Sequence, residues 1–544
     1  SLTTNNQTML KNSTPQSSSN TLARAWRTSG WTASALLWAL LVAYLIVNKP
    51  VALLGIPPIY IGELVLACVL FAAVGRYREF VIEPVRRAWT FRLIAIFFLY
   101  GVARVALDVP DFGLLALRDG VIVFYALLVF LAPAVWSRHS AFSQSERETT
   151  LPTQVARVLL PASLLAAGWA AAIAYGYIDI WQLGGGFFAE TKPDFLTLAA
   201  AIAFWVFTIS AMKHQPFFPS IHNQKSKIKN SLMFLVAIVI SLNCLWLMLH
   251  LPTRAVHLSL GPLLLISVIV WAFTRRRRML VWIVGGLVLL AGVVVITPRI
   301  KQNVTAVCRK YAPNENLNFS IRQVELNLLK NPEVYPQFNV NLDLMNLTEK
   351  ARRERWQSIF SIDQKEFETL AGQRAADATE WRLTFWLRSF YYTLHHAPIF
   401  GIGFGKNITN VNRRAPDLRS RESLAWRMFI PAMSVQNRNP HSAHLTIFTR
   451  MGLIGLSLWL AILGLIFVSA LRSCWFYRRM AASGNQLNAT EHYRCAFWDT
   501  LTVLGVWVIY LTTMSFSVVL ENPFGGMWFW ALTGVLVFSR TAKE

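Results

Sequence analysis

Charged and titratable side chains lie at the ends of long apolar runs, where chemistry at a membrane surface would need them. Ionisable groups at membrane depth are costly and mark functional sites by default. Arginines suit an anionic ligand, and a histidine suits proton transfer near neutral pH. Each group has a structural alternative, because arginines snorkel to headgroups and histidines can cap helices. The candidates are Glu63, Arg118, Asp119, Arg254, Arg382, His441, His444 and Glu521.

Several other chemistries are excluded or weakened by the motifs that the sequence does not contain. There is no phosphate-binding loop of the GxxxxGK[ST] type, no HExxH and no Asp-x-Asp pair. His441 and His444 are one turn apart and could share a metal, but no third ligand is evident. We therefore predict no metal and no cofactor.

The elements that position these groups are transmembrane helices. Of the 544 residues, 54% are hydrophobic and 15% are charged, against about 25% charged in a soluble domain. A transmembrane helix needs about 20 mostly apolar residues. Twelve runs qualify: 31–48, 58–75, 88–106, 116–135, 155–178, 194–212, 231–250, 256–274, 279–297, 442–470, 497–514 and 519–538.

The net charge of +24 is explained by topology better than by nucleic-acid binding. Cytoplasmic loops carry an excess of Lys and Arg. With both termini in the cytoplasm, the cytoplasmic segments hold 23 Lys and Arg residues and the short outer loops hold 4. The alternation places all the candidate residues on the outer face.

Four segments follow from this pattern. Residues 1–30 are polar and predict a disordered cytoplasmic tail, and residues 31–297 predict nine transmembrane helices. Residues 298–440 predict an outer loop domain, and residues 441–544 predict three helices and a short tail. In the loop domain, residues 381–396 form an amphipathic pattern that suits either the membrane surface or packing within the loop.

Short motifs in the second half of the chain resemble the O-antigen ligase and O-antigen polymerase superfamily. The signature is NPHSAHL at 439–445 followed by RMGLIGL at 450–456, which contains a G-x-x-G. WRL at 381–383 and PIFGIGFG at 398–405 are similar to the family's Arg-bearing helix and its glycine turn. Thr253-Arg254 is similar to the family's first essential arginine. Ser442 departs from the family, which usually has Asn there.

The resemblance implies a periplasm-facing glycosyltransferase in the bacterial inner membrane that uses an undecaprenyl-diphosphate glycan as donor. The acceptor would be a sugar hydroxyl, most simply on lipid A-core as in an O-antigen ligase. Arg254 and Arg382 would bind the diphosphate and His441 would be the base, without a metal. The second-tier residues are Arg118, His444, Arg450 and Glu521.

Three alternatives stay open at this level. The first is a polymerase, or a protein O-oligosaccharyltransferase, of the same superfamily. The second is a lipid-linked-glycan transporter or flippase, which would more often show repeated halves and broken helices near the midplane. The third is a receptor or scaffold that uses residues 298–440, which would not explain a basic outer face.

Overall fold

In a computed structural model, the described residues are almost entirely helical. The structure describes residues 17–137, 150–174, 193–213, 224–250, 261–266, 386–406, 440–483 and 487–541, apart from short gaps inside several of these ranges. The chain divides into two units, residues 1–283 with 389–544, and residues 284–388. Nearly all of the described residues belong to the first unit.

The first half of the first unit contains helices α1 to α8. Their bounds are α1 Ser17–Ile46, α2 Lys49–Ala52, α3 Ile61–Val74, α4 Glu83–Arg87, α5 Trp89–Phe112, α6 Leu114–Asp119, α7 Val121–Phe124 and α8 Leu128–Trp136. A π-helical turn (Arg78–Ile82) precedes α4, and a 3-10 turn (Tyr125–Leu127) joins α7 to α8. The only strands in the described residues are an antiparallel pair of two residues each, β1 Gly55–Ile56 and β2 Ile59–Tyr60.

The second half contains longer helices. They are α9 Leu151–Ala174, α10 Pro193–Lys213, α11 Gln224–His250, α12 Ala443–Ser483, α13 Leu487–Phe516 and α14 Pro523–Thr541. Six described helices are long and apolar enough to cross a membrane, and four shorter apolar helices accompany them. Ten of the twelve predicted runs coincide with helices, whereas 256–274 and 279–297 lie almost wholly outside the described residues.

Two boundaries differ from the sequence-based prediction. Helix α1 begins at Ser17, so residues 17–30 are helical although we expected a disordered tail. The predicted fourth helix, 116–135, is divided at Gly120, which leaves Arg118 and Asp119 at the end of the six-residue α6. Apolar periodicity does not detect these boundaries, because neither changes the composition of the run.

Tryptophans fill the centre of the bundle. The largest buried side chains include Trp136, Trp459, Trp507, Trp528 and Trp530. A buried indole N–H needs an acceptor, and several of these donate between helices. Trp528 donates to the carbonyl of Leu41 at 2.7 Å and Trp530 to that of Ile122 at 3.3 Å. These bonds tie α14 to α1 and α7.

Candidate active site

Helix α12 is interrupted at Gly452, nine residues after it begins. Gly452 has φ 67° and ψ −162°, a conformation outside the helical region. In a continuous helix, the N–H groups of residues 453 and 454 would bond the carbonyls of residues 449 and 450. The interruption breaks these two bonds and leaves four backbone groups that need other partners.

The glycine turn, residues 398–405, supplies all four partners. Its backbone runs through the interruption. Its carbonyls accept from N–H groups that follow Gly452, and its N–H groups donate to carbonyls that precede Gly452. The bonds are Leu453 N to Pro398 O at 2.8 Å, Ile454 N to Ile399 O at 3.3 Å, Ile402 N to Thr449 O at 2.7 Å, and Gly403 N to Arg450 O at 3.3 Å. Non-helical backbone at membrane depth is tolerated where protein buries it, and the glycine turn provides that cover.

Glycine is required where the two segments touch. A Cβ on Gly452 would lie 2.2 Å from the carbonyl oxygen of Ile399, and a Cβ on Gly403 would lie 2.5 Å from the carboxylate of Asp108. Both glycines have positive φ, 67° and 91°, where side chains are strained in any case. The G-x-G-x-G and G-x-x-G patterns therefore meet in space and allow the close approach of the turn to the helix.

Two carboxylates accept hydrogen bonds from the amide groups at the end of the turn. The N–H of Phe404 donates to Asp108 Oδ2 at 2.7 Å, and the N–H of Gly405 donates to Asp119 Oδ2 at 3.1 Å. Successive amides in a turn form a concave anion site. Here Asp108 and Asp119 fill that site. Since the amides of residues 401–403 also bond backbone carbonyls, the turn does not offer its backbone to a substrate phosphate.

Arg450 is committed to the same turn. Its side chain is 1% exposed, and its Nη1 donates to the carbonyls of Gly403 at 2.9 Å and Lys406 at 2.7 Å. Its Nη2 lies 3.1 Å from Asp119 Oδ2. A guanidinium at this depth needs such partners. We interpret this second-tier residue as a structural anchor rather than a ligand of the substrate.

A polar stripe on α5 completes the contacts. Tyr100 donates to the carbonyls of Met451 at 2.9 Å and Phe400 at 3.4 Å. Arg104 Nη2 lies 3.4 Å from the carbonyl oxygen of Gly401 and 3.9 Å from Asp108 Oδ2. None of these three residues was predicted as a site residue from the sequence. Their signal was the i, i+4, i+8 spacing of Tyr100, Arg104 and Asp108, which lines one face of an otherwise apolar helix.

His441 lies two residues before α12 in a left-handed conformation, with φ 57°. The carbonyl of Ser442 accepts from Thr446 N at 2.8 Å, so the helix begins directly after Ser442, a residue type that helix N-caps favour. Left-handed non-glycine residues are uncommon and concentrate at functional sites. The backbone thus places a partly buried imidazole directly before residues 443–451, the segment of α12 that precedes the interruption.

His444, in contrast, is bonded through both ring nitrogens. Nδ1 accepts from the indole N–H of Trp459 at 2.9 Å, and Nε2 lies 2.8 Å from Ser515 Oγ. Ser515 in turn donates to the carbonyl of Leu511 at 2.8 Å. Because an indole nitrogen only donates, these bonds select the neutral imidazole with its proton on Nε2. His444 therefore joins α12 to α13 and has no nitrogen available for a metal.

The remaining described candidates occupy separate positions. The Thr446 hydroxyl donates to Glu521 Oε1, which ties the start of α12 to the turn before α14. Glu63 accepts from Tyr60 N and from the Tyr125 hydroxyl, both at 3.1 Å. Arg118 is one-third exposed, and its Nη2 lies 3.5 Å from Asp119 Oδ1. Arg118 is the one cation among these three candidates.

The two arginines predicted to bind diphosphate, Arg254 and Arg382, lie outside the described residues, and their roles stay predictions. Within the described ranges, no group of three or more His, Cys, Asp or Glu residues could hold a metal.

The described part of the predicted amphipathic segment, residues 381–396, buries small polar side chains. Ser389 and Thr393 are fully buried, whereas Phe390 and Leu394 are 47% and 42% exposed. Phe390 also packs against Phe448 of α12, with ring centroids 5.2 Å apart. Contact of this segment with the membrane surface stays a prediction.

Comparison with protein families agrees with the motifs. Residues 235–460 match the family described as O-Antigen ligase, a range that contains the glycine turn, His441, the interruption at Gly452 and both predicted diphosphate ligands. Comparison with curated proteins found no match. The resemblance is thereby confirmed: the chain carries, at residues 235–460, a domain of the O-antigen ligase and polymerase superfamily.

Proposed function

We propose that this multi-pass protein transfers a glycan from undecaprenyl diphosphate to a sugar hydroxyl at the periplasmic face of the bacterial inner membrane. The family match supports a glycosyltransferase-type enzyme that acts on lipid-linked glycans. An O-antigen ligase, with lipid A-core as acceptor, is the activity that we favour. The donor, the acceptor and the membrane are its partners, and nucleic acid is not.

The single observation that carries the proposal is the backbone position of His441 in the motif. His441 has a left-handed conformation directly before a helix segment whose end bonds the glycine turn through Thr449 and Arg450. Left-handed non-glycine residues concentrate at functional sites, and a general base must be held within reach of the proton that it takes. Because both ring nitrogens of His444 bond Trp459 and Ser515, we assign the base role to His441 and a supporting role to His444.

The proposed reaction is a single displacement. His441 takes the proton from the acceptor hydroxyl, whose oxygen attacks the anomeric carbon of the donor. The bond from that carbon to the diphosphate oxygen breaks, so the configuration is inverted and undecaprenyl diphosphate leaves. Arg254 and Arg382 hold the phosphate oxygens through their planar forks. Their positive charge neutralises the leaving group without a metal.

Arg118 is a further cation for the same end of the molecule. Asp119, its ion-pair partner, also bonds Arg450 Nη2 and the amide of Gly405, both at 3.1 Å. Three arginines, Arg104, Arg118 and Arg450, thus share two carboxylates, Asp108 and Asp119. The cluster keeps one excess positive charge, and we assign it to attracting the diphosphate.

A transporter is the alternative from another class, and the interruption of α12 is the feature that bears on it. Transporters expose the backbone groups of broken helices to their substrates. At Gly452, the four freed groups bond the glycine turn instead. This arrangement supports a rigid scaffold for catalysis rather than a transport site.

The test is single-turnover transfer by purified protein in detergent, using a labelled lipid-linked glycan and purified acceptor without ATP. We expect transfer by the wild type and none by His441→Ala. ATP-dependent or purely translocating behaviour would contradict the proposal. In a deletion strain, a ligase defect leaves the lipid-linked polymer intact but unattached, whereas a polymerase defect leaves single repeat units.

A further inference from the structure

Asp108 and Asp119 come from a part of the chain that lies far from the family motifs. Asp108 lies four residues before the end of α5, and Asp119 is the last residue of α6. Their bonds to Phe404 and Gly405 span 296 and 286 residues of sequence. Both carboxylates are nearly inaccessible, with side chains 13% and 3% exposed. They contact the backbone of the glycine turn and are not placed to receive a ligand themselves.

The turn fixes the short segment of α12 that follows His441 and precedes Gly452, residues 443–451. This segment ends in the carbonyls of Thr449 and Arg450, and both accept from the turn. Its start is held by Thr446 through Glu521 and by His444 through Ser515. The segment therefore has two fixed ends, and one of them depends on the turn.

We propose that Asp108 and Asp119 are positioning residues for the transfer reaction, because they hold the glycine turn in the interruption of α12 and so fix residues 443–451, which directly follow the His441 loop. This inference rests on the function proposed above. A misplacement of about 1 Å at a catalytic group can cost roughly a hundredfold in rate. The effect should fall on the chemical step and not on donor binding.

Substitutions at Asp108 separate the role of its side-chain oxygen as a hydrogen-bond acceptor from the role of its negative charge. In Asp108→Asn, the amide oxygen still accepts from Phe404 N, whereas Asp108→Ala leaves that N–H without its acceptor. A charged hydrogen bond of this kind corresponds to about a tenfold to hundredfold effect. Asp499→Ala is the matched control, because Asp499 is a 6% exposed carboxylate paired with Lys213 at 2.8 Å on α13, away from the turn.

Two measurements are made on each purified variant. Hydrogen exchange follows peptides covering residues 398–406 and 445–454, and single-turnover kinetics gives the rate at saturating donor together with the donor KM. We expect Asp108→Ala to exchange faster in both peptides and to lose at least tenfold in rate with no increase in the donor KM. Asp108→Asn should restore most of the slow exchange and most of the rate. Asp499→Ala should keep the wild-type exchange and the wild-type rate.

The outcomes are distinct. Wild-type protein without transfer activity defeats the proposed function. Active wild type with an equally fast Asp108→Ala defeats the positioning role, as does a loss confined to donor KM. A defect in Asp108→Asn equal to that in Asp108→Ala would also overturn it, because the charge would then matter and the acceptor would not. If Asp108→Ala does not accumulate, Asp108→Ser must show the same paired loss to a smaller degree.

Discussion

Gly452→Ala tests most directly whether the glycine turn must lie inside the interruption of α12. At φ 67° and ψ −162°, only glycine is unstrained. Any other residue raises the free energy of the folded state by about 1–3 kcal/mol. The new Cβ would lie 2.2 Å from the Ile399 oxygen and 2.5 Å from the Gly401 nitrogen. Both are backbone atoms, so the glycine turn must move away from the helix.

The loss can be estimated from the bonds that hold the turn. Four backbone hydrogen bonds join the two segments, and each contributes about 0.5–1.5 kcal/mol, or roughly 2–6 kcal/mol for all four. With the backbone strain, the total is about 3–9 kcal/mol. Since proteins are stable by about 5–15 kcal/mol, the variant should unfold at a much lower temperature and lose transfer activity.

Gly464→Ala is the matched control on the same helix. A Cβ at Gly464 meets nothing within 4 Å, and alanine favours the helix by about 1 kcal/mol. Thermal unfolding of both variants in the same detergent gives the comparison. If Gly452→Ala unfolds at the temperature of Gly464→Ala, the interruption does not depend on glycine and the reasoning fails.

Four further predictions concern the site and the topology. His441→Ala should abolish transfer while the protein still inserts, and His444→Ala should be milder; equal loss in the two would favour a paired role. Arg254→Lys and Arg382→Lys should each lose about tenfold to hundredfold in donor handling, because lysine keeps the charge but not the fork; full activity of both would contradict diphosphate binding. A chelator should leave transfer unchanged, and strong inhibition would refute the metal-free mechanism. An impermeant thiol reagent should label Cys308 from the periplasm, and labelling only after disruption of the inner membrane would overturn the topology.

The positions of the helices were largely predictable, because lipid imposes a simple rule on the chain. A segment that crosses the membrane must be long, apolar and helical. The runs around residues 88–106 and 194–212 satisfy that rule and coincide with α5 and α10. The family assignment rests on short motifs of fixed order, which the match at residues 235–460 confirms.

The contacts of the site were much less predictable. The sequence marks the glycines at 401, 403 and 405 as a helix stop, but it does not indicate that their amides bond α12, Asp108 and Asp119. Arg450 was a candidate ligand by its motif, and its burial at 1% exposure became evident only in three dimensions. Likewise, the motif ranked His441 above His444, but the bonds of both His444 ring nitrogens to Trp459 and Ser515 became evident only in three dimensions.

The sequence by itself determined that the chain lies mainly in lipid, that its fold is helical, which family its motifs resemble and which chemistry is available at the predicted outer face. These depend on composition, on local period and on residue type, which are properties of neighbouring residues along the chain. Only the tertiary structure decided which groups bond one another. The backbone groups released at Gly452, the carboxylates of α5 and α6, and the ring nitrogens of His444 find partners across up to 296 residues of sequence. A buried polar group must be paired, and the identity of its partner depends on how the helices pack.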